Sequence, residues 1–215
     1  MSVKIISVAK KLPKYVKETK EIIPFVKQWM QGQESRFQRK VLKLFEGAGV
    51  DKRYSIMDAE EVFLNTSFEE KNNIYIKEVT KLAEQSLLKS LKKARLQTTD
   101  IDYIVTVSCT GIMIPSVDAY LINSLQMRQD IVRLPVTEMG CVAGISGIIY
   151  AKNFLKSNPN KRAAIVSVEA ATATFQMEDY SMANIVSAAI FGDGAASVIL
   201  SSFEDRFILI IFCSS

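Results

Sequence analysis

Histidine is absent from all 215 residues, so no imidazole base, proton shuttle or histidine-ligated metal can be assembled from this chain. Cysteine is scarce. The three present, Cys109, Cys141 and Cys213, form no CxxC pair, which disfavours a disulfide framework and a zinc site and fits a reducing, cytoplasmic setting. Neither a metal nor a bound cofactor is expected. Long apolar runs are missing too: the N-terminal one is broken by lysines too early for the core of a signal peptide, and the others fall short of the ~20 residues that cross a bilayer. The chain therefore reads as soluble, without a membrane partner. Charge of one sign is not concentrated anywhere. The 27 basic and 23 acidic residues are spread along the sequence and leave a net charge of +4, with no basic arm to track a nucleic acid.

What remains is ample for one core, since 48% of the residues are hydrophobic and domains commonly hold roughly 100 to 200 residues. Val3 to Val8 reads as a strand, and the Lys/Glu-rich stretch to about Lys43 as helical. Asn72 to Arg95 is predicted as a longer helix, because Ile76, Val79, Ala83, Leu87 and Leu91 recur at three- and four-residue steps opposite lysines. A turn at Thr98 to Asp100 leads to a buried strand over Ile101 to Val107, and a helix opens at Pro115 and runs to about Gln126. A short strand spans Arg133 to Val136, a helix runs from just after Gly140-Cys141 to about Lys156, and a strand follows at Ala163 to Val168. A helix near Met182 to Ala189, a turn at Phe191 to Gly194 and a strand over Ala196 to Ser201 complete the pattern. Strands alternating with helices at this spacing indicate an α/β layered fold.

Cys141 is the candidate for chemistry. A cysteine directly after glycine at a strand-to-helix junction meets first-turn N–H groups and the positive end of the helix dipole, which stabilise a thiolate. The small residues that follow, Ala143, Gly144, Ser146 and Gly147, let the helix pack closely and let a ligand approach its start. Cysteine is also among the most buried residue types, so packing alone would account for the position equally well. Spacing leaves both readings open.

The segments around it are more specific. Thr137-Glu138-Met139-Gly140-Cys141-Val142-Ala143-Gly144 resembles the nucleophile segment of type III polyketide synthases of the chalcone synthase kind. Arg133-Leu134-Pro135-Val136 precedes it; Ser167-Val168-Glu169, Thr172-Ala173-Thr174-Phe175 and Ala189 to Ala196 follow in family order. Upstream, Gly49 to Tyr54 and Ser108 to Pro115 match as well. The resemblance covers roughly residues 3 to 201. It implies a thiolase-like fold, of which this would be the N-terminal half of a duplicated αβαβα layering, with residues 202–215 as a divergent or truncated tail. The implied activity is an acyl transfer and decarboxylative Claisen condensation of malonyl-CoA onto an acyl-CoA starter held on Cys141. Coenzyme A thioesters would be substrates, with no cofactor. Ketoacyl synthase III and hydroxymethylglutaryl-CoA synthase share the fold and the cysteine, but Gly140 to Gly144 and Gly49 to Tyr54 fit them less well.

By the same resemblance Phe191 corresponds to an aromatic gatekeeper, Thr174 lines the acyl cavity, Glu169 is an acidic residue near it, and Cys109 occupies a substrate-contacting cavity position where plant members usually have threonine. Arg36, Arg39, Lys40, Lys52 and Arg53 fall where the family binds coenzyme A phosphates. Each has a plainer reading, as a core aromatic, a satisfied polar group or a solvated charge. Gly192-Asp193-Gly194 is expected as a tight turn near the nucleophile, not a phosphate loop, for it lacks the required spacing and lysine. Ile114 takes the place of a methionine that crosses the dimer interface, so a homodimer is expected. Family members are much longer, and their catalytic histidine and asparagine have no counterpart here. The resemblance thus leaves two expectations: an acyl-accepting half of a synthase, or an inactive remnant of one.

Overall fold

The alternation of buried and exposed residues over Lys4–Lys11 builds the first strand, β1. In the computed structural model, which describes residues 2–64 and 66–203, the Lys/Glu-rich stretch that follows is not one helix. It divides into β2 (Tyr15–Glu18), α1 (Thr19–Trp29) and α2 (Ser35–Gly47). Two local features cause the division. Glu18 and Glu21 form a reciprocal capping box that starts α1, and Gly32, at φ +87°, turns the chain between the helices as only glycine does easily. β2 pairs antiparallel with β3 (Lys52–Ser55), a ribbon too short for periodicity to reveal.

After the single turn α3 (Ala59–Val62), α4 runs over Phe68–Ala94 and begins four residues before the predicted Asn72. Ser67 explains the earlier start: its Oγ accepts the Glu70 N–H at 3.2 Å, and the Glu70 carboxylate accepts the Ser67 N–H at 2.9 Å. The helix lays Val79, Ala83, Leu87 and Leu91 into the main core, packing on β1, β6 and β7. Its small residues bring it close to the sheet, where the Ser197 hydroxyl donates to the Ser86 carbonyl at 2.6 Å and the Ser7 hydroxyl to that of Ser90 at 2.8 Å.

The remaining elements are β4 (Tyr103–Val107), α5 (Val117–Ser124), β5 (Val132–Val136), α6 (Ala143–Ser157), β6 (Arg162–Ala170), α7 (Met182–Ile190) and β7 (Asp193–Ser201). The main sheet has the order β1-β7-β6-β4-β5. β4 runs parallel to both β5 and β6, whereas β7 is antiparallel to β6 and to β1. Every residue of β4 is buried, as a strand covered on both faces requires. One edge of the sheet therefore gathers the carboxyl ends of β4, β5 and β6 and the start of β7, with Ala170 opposite Asp193. In open α/β sheets, ligand sites form at that edge.

Two boundaries differ from the sequence reading in a way that affects the site. Asp193 and Gly194 belong to β7, not to a turn, because Asp193 is buried and bonded. The helix expected directly after Cys141 starts at Ala143, and Cys141 itself sits in a 3-10 turn over Gly140–Val142. The tail beyond Phe203, with Cys213, lies outside the described residues.

Candidate functional site

Two loops leave the carboxyl edge side by side. Val107 of β4 lies opposite Val136 of β5, and the Ser108 N–H still donates to the Val136 carbonyl at 3.2 Å, so the loops stay together past the strand ends. One carries Cys109. The other turns at Gly140, with φ +57°, into the turn holding Cys141. Both cysteines are free and solvent-exposed.

Glu169, near the end of β6, ties the first loop down. Its two carboxylate oxygens each accept the Cys109 N–H at 3.1 Å, and one also accepts the Thr110 N–H at 3.1 Å and the Thr110 hydroxyl at 2.7 Å. Thr110 Oγ1 in turn accepts the Ala170 N–H at 2.8 Å. A carboxylate bonded in this way is fixed in position. The Cys109 thiol is pushed up to about 11, first by burial, then by the charge and hydrogen bond of Glu169 and by the neighbouring Cys141; a bond to the Gly140 backbone opposes the rise. Cys109 thus stays a neutral thiol at neutral pH. Of the two, Cys141 is free of such a carboxylate bond and stands on the approach to α6.

A separate cavity of about 90 Å³ opens between the β2–β3 ribbon and α7. Thr174 and Phe191 line it, together with Thr172, Phe175, Ser187 and Arg53. Thr174 Oγ1 donates to the Ala171 carbonyl at 2.8 Å. Thr174 and Phe191 thus line this cavity, while Glu169 bonds the backbone of the Cys109 loop.

The expected phosphate ligands also separate. Arg36, Arg39 and Lys40 are exposed on α2, and Lys52 is exposed on β3. Arg53 departs from the expectation. It is only 7% exposed, its Nη1 donates to Thr19 Oγ1 at 2.7 Å, its Nη2 donates to the Ala189 carbonyl, and its guanidinium lies 5.6 Å from the Phe45 ring centre. Its alternation partner on the strand faces water, so Arg53 faces the core, joining α1 to α7 instead of presenting a charge to solvent.

The family described as chalcone and stilbene synthases, N-terminal domain, matches residues 2–203. The chain belongs to this family of type III polyketide synthases. It is 38% identical over 157 residues to 1,3,6,8-tetrahydroxynaphthalene synthase of Streptomyces peucetius subsp. caesius, covering 73% of this chain and 41% of that protein. It is 30% identical over 158 residues to phloroglucinol synthase of Pseudomonas fluorescens, covering 74% and 45%. The crystal structure of the tetrahydroxynaphthalene synthase of Streptomyces coelicolor superimposes with a TM-score of 0.87 at 28% identity, over 93% of this chain and 57% of that one. Germicidin synthase of the same species, at 19% identity and a TM-score of 0.86, shares the fold. The fold is thiolase-like, and the chain spans about half the length of the relatives it matches.

Within this polyketide synthase fold, several residues that hold the site carry no sequence signal of their own. Thr110 bridges β6 to the Cys109 loop, and only its place beside Cys109 hints at that. Asp193 accepts the Ile56 N–H at 2.8 Å, the Thr172 N–H at 3.0 Å and the Thr172 hydroxyl, so it fixes the floor of the Thr174 cavity. Burial pushes its carboxyl up to about 6. Lys71, buried in α4, donates to the Phe175 carbonyl at 2.6 Å, and burial lowers its pKa. A lysine among helix polar positions reads as solvated, so this one was invisible to periodicity.

Proposed function

We propose that this chain forms the acyl-accepting half of a type III polyketide synthase, with Cys141 as the nucleophile. Its thiolate attacks the carbonyl carbon of an acyl-CoA, the tetrahedral intermediate collapses, and coenzyme A leaves as its thiolate while the acyl group stays on sulfur. The observation that carries this reading is the exposed Cys141 on a turn that enters α6 at the carboxyl edge of the sheet. Arg36, Arg39, Lys40 and Lys52 are exposed cations suited to the coenzyme A phosphates, and Thr174 and Phe191 are proposed acyl-cavity residues. Decarboxylation of malonyl-CoA and condensation require groups that stabilise an enolate. These residues include no histidine, so the full reaction is assigned to them together with a histidine- and asparagine-bearing half. Ile114, 92% exposed, suits a homodimer contact, and the setting proposed is cytoplasmic.

The test is acyl loading. Incubation with short and medium acyl-CoA thioesters should add one acyl group to the peptide containing Cys141, and iodoacetamide should block it. Cys141→Ser should abolish loading at unchanged circular dichroism. Loading that persists in the Cys141→Ser protein sinks the assignment. Loading without release of carbon dioxide from malonyl-CoA favours an acyl-accepting half, whereas a folded protein that never loads favours an inactive remnant.

A further inference from the structure

A protein with few cysteines places two of them in one cluster. Cys109 and Cys141 follow adjacent parallel strands paired Val107 to Val136. Neighbouring strands lie about 4.8 Å apart, and the Ser108 to Val136 hydrogen bond keeps that spacing one residue beyond them. Glu169 then clamps the Cys109 backbone from the other side, while the left-handed Gly140 folds the second loop back, close enough for its backbone and Cys141 to act on the Cys109 thiol electrostatically. A disulfide needs Cα atoms roughly 4.4 to 6.8 Å apart, so little movement of exposed loops would join the pair.

We infer that Cys109 and Cys141 form a reversible disulfide under hydrogen peroxide, which caps the acyl-accepting thiol. Cys141 reacts first, because Cys109 is held as a thiol against a carboxylate. The Cys141 sulfur attacks the peroxide, an S–O bond forms, the O–O bond breaks, and the departing hydroxide takes the thiol proton as water. The Cys109 sulfur then attacks the sulfenic sulfur, the S–S bond forms, and the S–O bond breaks. The hydroxide released takes the Cys109 proton, passed through the Glu169 carboxylate it already bonds. Two thiols are oxidised and one peroxide is reduced to two waters; a dithiol reductant reverses the change. Cys109 thereby protects Cys141 from oxidation beyond the sulfenic stage. As a regulation of the loading site, the capping role rests on the reading of Cys141 as acyl acceptor; the disulfide itself does not.

The experiment uses the full chain and its Cys213→Ser variant, which removes the third thiol. Each is treated with hydrogen peroxide, quenched with N-ethylmaleimide and mapped by mass spectrometry without reduction. The expected product is the Cys109 peptide linked to the Cys141 peptide in both proteins, with acyl loading lost and then recovered at least tenfold on dithiothreitol. Cys109→Ser, compared with its own loading before peroxide, should lose loading irreversibly after it, with sulfinic or sulfonic acid at Cys141. Sulfinic or sulfonic acid at Cys141 in the parent protein, without the linked peptide, overturns the inference, as does reversible recovery in Cys109→Ser. If the linked peptide forms in a protein that never loads acyl groups, the disulfide stands and the acyl-acceptor assignment falls.

Discussion

Asp193 shows how one buried carboxyl can shape stability. It accepts hydrogen bonds from Ile56 and Thr172, yet burial outweighs them and raises its pKa from the ordinary 3.8 to about 6. Between those values the folded protein keeps a proton that the unfolded chain has lost, so unfolding free energy must fall as pH rises. The contribution is complete below 3.8 and lost above about 6. A rise of this size corresponds to about 3 kcal/mol. Urea unfolding of the parent protein between pH 4 and 7 should show that decline, and Asp193→Asn, which cannot titrate, should flatten it; equal slopes in both proteins would remove Asp193 as the cause. Arg53 makes the opposite point. The family resemblance implied a phosphate ligand, but the strand's alternation turns Arg53 inward, where it donates hydrogen bonds to Thr19 and Ala189.

At the scale of elements, glycine decides where the site loop can lie. A Cβ on Gly111 would stand 2.3 Å from the Tyr75 ring. That ring cannot swing away, for it is buried in α4 with its hydroxyl 2.5 Å from Ser108 Oγ. Gly111→Ala should therefore cost about 1–3 kcal/mol through overpacking, read as a lower urea midpoint at unchanged slope. Gly144→Ala is the control: nothing lies within 4 Å of its Cβ position, and alanine favours a helix by up to about 1 kcal/mol over glycine. Equal destabilisation by both changes would contradict the close approach at Gly111. Long elements with regular spacing, such as α4, were legible in the sequence to within a few residues. The β2–β3 ribbon was not, since four-residue strands offer too few alternations and their pairing joins residues far apart in the chain.

For the whole molecule, α6 is the telling element. Ala143, Gly147, Ala151 and Leu155 are buried on one side, with Gly147 close against Ile165 and Val105. Val142, Ile145 and Ile149 are exposed on another, Ile145 at 62%. An apolar stripe of this kind on a helix marks a surface suited to burial. A hydrophobic dye should bind the isolated chain strongly, and Ile145→Glu with Ile149→Lys should lower its fluorescence severalfold without changing circular dichroism. Unchanged fluorescence would place the exposed apolar surface elsewhere. The chain spans about half the length of its relatives, and the α6 face is where the proposed histidine-bearing half would find apolar surface.

The sequence alone determined the alternation of strands and helices, the family, and Cys141 as the residue to test, because periodicity and ordered motifs are local and survive in linear form. It also determined that no imidazole is present. Only the tertiary structure decided that Cys109, Cys141 and Glu169 meet at one sheet edge and that Thr174 and Phe191 line one cavity. Only it turned Arg53 inward and buried Lys71 and Asp193. The physical reason is the same in each case: strand order and pairing bring together residues distant in the chain, up to 137 positions apart, and burial, which governs charge and reactivity, depends on those neighbours. Cys141 is the proposed nucleophile, and spacing along the chain could not place the thiol of Cys109 beside it.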